Sequence, residues 1–130
     1  MQTAEQIMSS DVVTIGPEAT LSEAIHRLLT RRVSGLPVVD DNQMLVGIIT
    51  EFALLALAYD DGLQQQTVAQ HMTRDVITVD VSDPVNRMAD LFIVHRVRRL
   101  PVVRGGRLAG LVSRSDVLAA LEQSAPICTA

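Results

Sequence analysis

The chain has 130 residues, 48% apolar and 20% charged, a balance that folds and suits one compact module. Its longest near-continuous apolar stretch, 52–59, falls far short of the roughly 20 residues a membrane span needs, and no Lys or Arg precedes Arg27 to open a secretory signal. The one cysteine, Cys128, supports neither an intrachain disulfide nor a cysteine-based metal site, so the composition points to a soluble, cytoplasmic domain.

The formal net charge of −4 is unevenly spread. Residues 1–65 carry three Arg against nine acidic residues, whereas residues 66–130 carry eight Arg against six. All eleven basic residues are Arg, and three of them cluster at Arg96, Arg98 and Arg99. Arg suits bidentate recognition of phosphate, but composition alone fits a solvated edge equally well. Aromatics at 2% with no Trp give little stacking surface for single-stranded nucleic acid.

The chain is two copies of one unit. A shift of 64 places Met8 on Met72, Asp11 on Asp75, Val12 on Val76, Thr14 on Thr78, and Leu36-Pro37-Val38-Val39 on Leu100-Pro101-Val102-Val103. The offset then falls to 63, pairing Leu45 with Leu108, Gly47 with Gly110 and Leu55 with Leu118. The lost residue lies where Asp40-Asp41-Asn42-Gln43 is answered by Arg104-Gly105-Gly106, in a turn that tolerates it.

In chain order, each copy opens with a short helix, signalled by Thr3-Ala4-Glu5-Gln6 and Thr67-Val68-Ala69-Gln70. Residues 12–15 and 76–79 follow, read as strands from their β-branched content. A longer helix comes next. Thr20 and Glu23 form a capping box over an apolar face of Leu21, Ala24, Ile25, Leu28 and Leu29; in the second copy Asp83 caps, with Pro84 at the first helical position. Strands at 36–40 and 45–50, then 100–104 and 108–113, form hairpins, the second closed by Gly105-Gly106 because both turn positions need positive φ. A last helix passes through Leu54, Leu55 and Ala58, and through Val117, Leu118 and Leu121. The expected fold is α+β, two β-α-β-β-α repeats at 3–60 and 67–122, joined by a polar linker at 61–66 and followed by a tail at 123–130. A unit of about 60 residues is marginal alone, so the copies are expected to pack as a pseudo-two-fold pair and share one core.

Chemistry concentrates where the copies differ. The second copy reads Gly110-Leu111-Val112-Ser113-Arg114-Ser115-Asp116 where the first reads Gly47-Ile48-Ile49-Thr50-Glu51-Phe52-Ala53. Ser113 and Asp116 fit an ordinary helix cap. They also fit a ribose diol held by Asp116, with hydroxyls near a phosphate. His26, His71 and His95 are too far apart for a local metal motif, Cys128 reads as a free thiol in a frayed tail, and Met8 and Met72 suit core packing.

The repeated patterns M-[ST]-x-D-V-x-T-[IV], R-V-x-x-L-P-V-V and G-[IL]-[IV]-[ST] resemble the cystathionine β-synthase (CBS) domain family over about residues 3–122. The resemblance implies a tandem pair, a Bateman module, that binds adenine nucleotides or S-adenosyl compounds in clefts between its copies and commonly dimerises through its helices. The family's ribose motif G-h-x-[ST]-x-x-[DN], with h apolar, is matched by Gly110, Leu111, Ser113 and Asp116, with Ser115 beside them. By the same resemblance, the adenine ring lies against Val33, Ser34, Gly35, Leu36 and Pro37, and Arg98 and Arg99 are the phosphate candidates, one of them reaching a given cleft because strand alternation parts them. Arg114 fits a surface role better than a ligand contact. Ala53 replaces the acid in the first copy, which predicts one nucleoside site per chain rather than two.

The implied function is a stand-alone, non-enzymatic sensor of an adenosine-containing ligand, with no tightly bound cofactor, no catalytic residue and no metal. It is expected to form a homodimer and to regulate a separate protein by a ligand-driven shift between the copies. The rival reading is a ligand-independent dimerisation or docking module with a vestigial cleft, favoured by Ala53 and opposed by the intact Ser113-Ser115-Asp116 set. No polar partner is identifiable to make Asp116 a catalytic base, and the net charge of −4 opposes a nucleic-acid role for the arginines.

Overall fold

The computed structural model describes residues 2–124, less the side chains of Asp61 and Ser124; the tail beyond, with Cys128, lies outside the described residues. In chain order the elements are α1 (Ala4–Ile7), α2 (Leu21–Arg31), β1 (Gly35–Val39), β2 (Leu45–Thr50), α3 (Glu51–Leu54), 3-10 turns at Leu55–Ala58 and Asp61–Gln65, α4 (Val68–His71), β3 (Val79–Asp80), α5 (Val85–His95), β4 (Arg99–Arg104), β5 (Arg107–Ser113) and α6 (Arg114–Ser124). The fold is α+β, with small mixed sheets flanked by helices, as the sequence predicts.

The compact units do not coincide with the sequence repeats. One unit, here unit 2, is Val13–Val76; the other, unit 1, combines Met1–Val12 with Ile77–Ala130. The opening helix of each repeat thus joins the body of the other repeat. In unit 1, Ala4 N–H donates to Asp83 O at 2.9 Å and Val85 N–H to Gln2 O at 3.1 Å, seating α1 on the start of α5. In unit 2, Val68 N–H donates to Ala19 O at 2.8 Å and Leu21 N–H to Gln66 O at 2.9 Å, seating α4 on the start of α2. Each unit holds its own core cluster, which corrects the expectation of one shared core. Unit 1 buries Val85, Met88, Leu100, Val102 and Val112 with Ala4; unit 2 buries Leu21, Leu28, Leu36, Val38 and Ile49 with Val68. The stretch expected as a polar linker contributes Leu63 to the unit 2 cluster.

The two sheets share a plan. β1 and β2 are antiparallel, as are β4 and β5, with register irregularities at the equivalent steps Val38/Val39 and Val102/Val103. Gly105 and Gly106, at φ +59° and +83°, close the β4–β5 hairpin as expected. The strands expected at 12–15 and 76–79 are much shorter. Ile15 makes one parallel bridge to Val38, and β3 pairs two residues with β4. The difference between them has a covalent cause. Val81 N–H donates to Val103 O at 3.1 Å, whereas its counterpart is Pro17, which has no N–H to give.

The long helices follow their apolar spacing. α2 is capped by Thr20, whose Oγ1 accepts from Glu23 N–H at 3.2 Å, and it buries Leu21, Ala24 and Leu28. α5 buries Val85, Met88 and Phe92 at the same spacing. Its cap differs from expectation: Pro84 is extended at the N-cap position, and the Asp83 carboxylate accepts instead from Asp80 N–H at 2.9 Å in the preceding turn. The last helix of the first repeat also breaks early, α3 giving way to a 3-10 turn, while α6 runs on without interruption.

Candidate functional site

In unit 1 the β5–α6 junction is a reciprocal cap. Asp116 Oδ2 accepts from Ser113 N–H at 2.8 Å, and Ser113 Oγ accepts from Asp116 N–H at 3.2 Å. The Ser113 and Ser115 hydroxyls share a hydrogen bond of 3.0 Å. The ordinary cap read from the sequence is therefore present. It occupies one oxygen of the carboxylate. Among the described residues Oδ1 of Asp116 has no hydrogen-bond partner, and the residue is half-buried. A carboxylate has about four acceptor positions, so a fixed one with a free oxygen can still take hydroxyl donors. Two hydroxyls and the N-terminal N–H groups of α6 stand around it, a set suited to a polyol bearing negative charge.

The junction is braced from the far end of the chain. Ser9 pairs with Leu111 through two backbone hydrogen bonds of 2.9 Å each. Met8 lies over Gly110, where a Cβ would come within 2.6 Å of its sulfur and 2.7 Å of Ser9 O. Met8 and Met72 are counterparts in the repeat, as are Gly110 and Gly47, but nothing in the repeat alone joins each Met to a Gly. The signal that joins them is that both pairs recur together, for a Cβ at Gly47 would come within the same 2.6 Å of the Met72 sulfur.

The basic segment begins where α5 ends. Arg96 is left-handed at φ +54°, and Arg98 and Arg99 follow it into solvent, Arg98 ahead of β4 and Arg99 as its first residue. Arg114 turns toward this segment. Its Nη2 donates to Val97 O at 3.1 Å and to Arg96 O at 3.5 Å, holding the end of α5 to the start of α6. Arg96, Arg98, Arg99 and Arg114 have no acidic partner among the described ion pairs, so the end of this unit carries uncompensated positive charge.

The corresponding junction of unit 2 is simpler. Thr50 Oγ1 accepts from Ala53 N–H at 3.4 Å, and no carboxylate returns to the Thr50 N–H. Of the segment singled out for a ring, Leu36 and Pro37 are buried, Leu36 within the unit 2 core, while Val33, Ser34 and Gly35 are partly exposed. Ser34 O accepts from Glu51 N–H at 3.0 Å.

Two α+β repeats, a capping carboxylate in the second and its loss in the first define a tandem module of a known kind. The CBS domain matches residues 4–60 and 68–123, and the chain belongs to that family as a CBS pair, a regulatory module. It is 33% identical over 113 residues to the protein MJ1225 of Methanocaldococcus jannaschii, covering 87% of this chain but only 40% of that relative. It is 31% identical over 127 residues to hypoxic response protein 1 of Mycobacterium tuberculosis, covering 96% of this chain and 89% of the relative. Among solved structures, CBSX2 in complex with AMP superposes with a TM-score of 0.83 at 30% identity, covering 95% of this chain and 98% of CBSX2. No helix among the described residues is long and apolar enough to cross a membrane.

Proposed function

We propose that the chain is a sensor for an adenosine-containing ligand, an adenine nucleotide or an S-adenosyl compound, that acts on another protein without catalysing a reaction. One observation carries the reading. The Ser113–Asp116 junction holds a half-buried carboxylate in place with one oxygen free, beside two hydroxyls and a helix N-terminus. The similar CBSX2, solved with AMP, supports the choice of ligand class. Asp116 accepts the ribose hydroxyls, Leu111 offers apolar surface beside it, and Arg98 or Arg99 meets a phosphate. Unit 2 has Ala53 where the acid would stand, so the stoichiometry is one ligand per chain. The uncovered helix faces of both units support a homodimer.

A thermal-shift panel with AMP, ADP, ATP, NAD and S-adenosylmethionine tests the proposal. A ligand at about 100 times its Kd adds roughly 2.7 kcal/mol, which for a chain this size raises Tm on the order of 5–15 °C. Asp116→Ala removes the carboxylate that would accept the ribose hydroxyls, and because the cap to the Ser113 N–H goes with it, each version is compared with its own ligand-free Tm. The expected result is a shift with one adenosine ligand that largely disappears in Asp116→Ala. No shift with any of the five, or a shift untouched by the substitution, overturns the assignment.

A further inference from the structure

In each unit the segment after the long helix is fastened to the first residue of the helix that follows the hairpin, but by different means. In unit 2 the main chain does it: Glu51, the first residue of α3, donates its N–H to Ser34 O at 3.0 Å. The repeat counterparts in unit 1 are Arg114, the first residue of α6, and Arg98. Among the described residues no backbone bond joins these two, and Arg98 O is left to the neighbouring Arg99 guanidinium at 3.4 Å. The Arg114 side chain makes the fastening instead, with Nη2 on Val97 O at 3.1 Å and on Arg96 O at 3.5 Å. The Glu51 carboxylate, which only accepts hydrogen bonds, could not do the same.

A long exposed side chain loses rotamer freedom when it is held to neutral carbonyls, and Arg114 has no acidic partner among the described ion pairs to hold it there. Its place favours the hold, because a cation is stabilised beside the last carbonyls of a helix, here those at the end of α5. What it holds is short. Only Val97 and Arg98 lie between left-handed Arg96, where α5 ends, and Arg99, where β4 begins. The Val97 side chain packs on the unit 1 core while its carbonyl is tied to Arg114, so the backbone that carries Arg98 and Arg99 is fixed from two sides. Arg99 also pairs with Ser113 across β4 and β5, which puts the fixed stretch beside the Ser113–Asp116 junction.

We infer that Arg114 is a positioning residue: it touches no ligand, and it holds the 96–98 segment so that the Arg98 and Arg99 guanidiniums are set to receive a phosphate on a ligand held by Asp116. The inference rests on the sensor reading above. An arm that is already ordered loses less entropy on binding than a loose one. The gain falls on phosphate-bearing ligands, and a nucleoside without phosphate draws nothing from it.

Calorimetric titration of the full chain with AMP, ADP and ATP, and with adenosine for reference, tests this in four versions. These are the wild type, Arg114→Ala, Arg98→Ala with Arg99→Ala, and all three substitutions together. Arg114→Ala leaves the Ser113–Asp116 cap, which involves neither its side chain nor its N–H. It is expected to weaken whichever nucleotide binds by about tenfold, to leave adenosine within about twofold, and to have no further effect once Arg98 and Arg99 are gone. A loss that persists in that background means that Arg114 acts on the phosphate by itself, and overturns the positioning role. Equal losses for nucleotide and adenosine overturn it too, because the side chain would then support the whole junction. So does undiminished nucleotide binding in Arg114→Ala, in which case the sensor reading still stands on Asp116→Ala. Binding of S-adenosylmethionine without AMP, ADP or ATP overturns this inference and keeps the sensor reading, whereas binding of none of them overturns both.

Discussion

Asp80 is exposed, yet its carboxyl is held below the ordinary carboxylate range, first by the Ser82 hydroxyl at 2.6 Å and then by the Ser82 N–H at 2.9 Å. The turn it forms precedes α5 and helps to set where that helix begins. A carboxyl with a lowered folded-state pKa contributes stability that is present at neutral pH. That contribution is lost as pH falls below the unfolded-state value and through the folded one. Ser82→Ala removes the larger cause and keeps the smaller. The Asp80 titration followed by NMR is expected to move upward without reaching its unperturbed midpoint, and the stability difference between variant and wild type should vanish in acid. A midpoint that does not move would take the hydroxyl out of the account. Arg32 and Arg96 present a different residue-scale cost, for both end a long helix in the left-handed region, at φ +56° and +54°. Glycine enters that region freely, whereas a residue with a Cβ gives up about 1–2 kcal/mol there. Part of the gain from Arg32→Gly is offset in the unfolded chain, leaving a net stabilisation of about 0.5–1 kcal/mol in urea unfolding. A loss instead would show that the Arg32 side chain holds something in place.

At the scale of elements, the hairpins and long helices were legible because their causes are local. Gly105-Gly106 sets its turn, Thr20 its cap, and the spacing of Leu21, Ala24 and Leu28 its buried face. The Ser113–Asp116 cap was legible for the same reason. The opening strands were not, because their length depends on whether a distant neighbour receives a hydrogen bond. Val81 supplies one and Pro17 cannot. The bracing of the candidate site by Met8 and Ser9 was equally hidden, since nothing local pairs residues near the two ends of the chain. That bracing makes a firm prediction. A methyl group at Gly110 meets Ser9 O, and one at Gly47 meets Thr73 O at 2.8 Å, both of them backbone atoms that move only with their whole segment. Gly110→Ala and Gly47→Ala should each cost about 1–3 kcal/mol in chemical denaturation. Gly16→Ala, where nothing lies within 4 Å of the added carbon, serves as the control and should stay near wild type. Equal effects at all three positions would mean that the close Met–Gly approach is not what these glycines are for.

At the scale of the molecule, the exchange of opening segments decides how the chain is stabilised. A β-α-β-β-α repeat folded on its own would have α1 on its own longer helix, but each short helix completes the other repeat's core instead. Residues 1–12 therefore belong energetically to a unit that begins again at Ile77. Ala4 is fully buried there, Ile7 and Met8 pack against the same cluster, and Glu5 forms an ion pair with Arg104 of β4. Losing these apolar contacts and the backbone bonds to Asp83, Val81 and Leu111 removes on the order of several kcal/mol, set against a total of about 5–15 kcal/mol for a typical domain. Deleting residues 1–12 is thus expected to strip hydrogen-exchange protection from β4, β5 and α5, all distant in sequence from the cut. Peptides from α2, β1 and β2, which follow the cut directly, should keep theirs, because their short helix comes from Val68–His71. The opposite pattern, with loss confined to α2, β1 and β2, would return each opening helix to its own repeat and undo the exchange. Loss spread evenly over both sets would mean that the two cores unfold as one cooperative body.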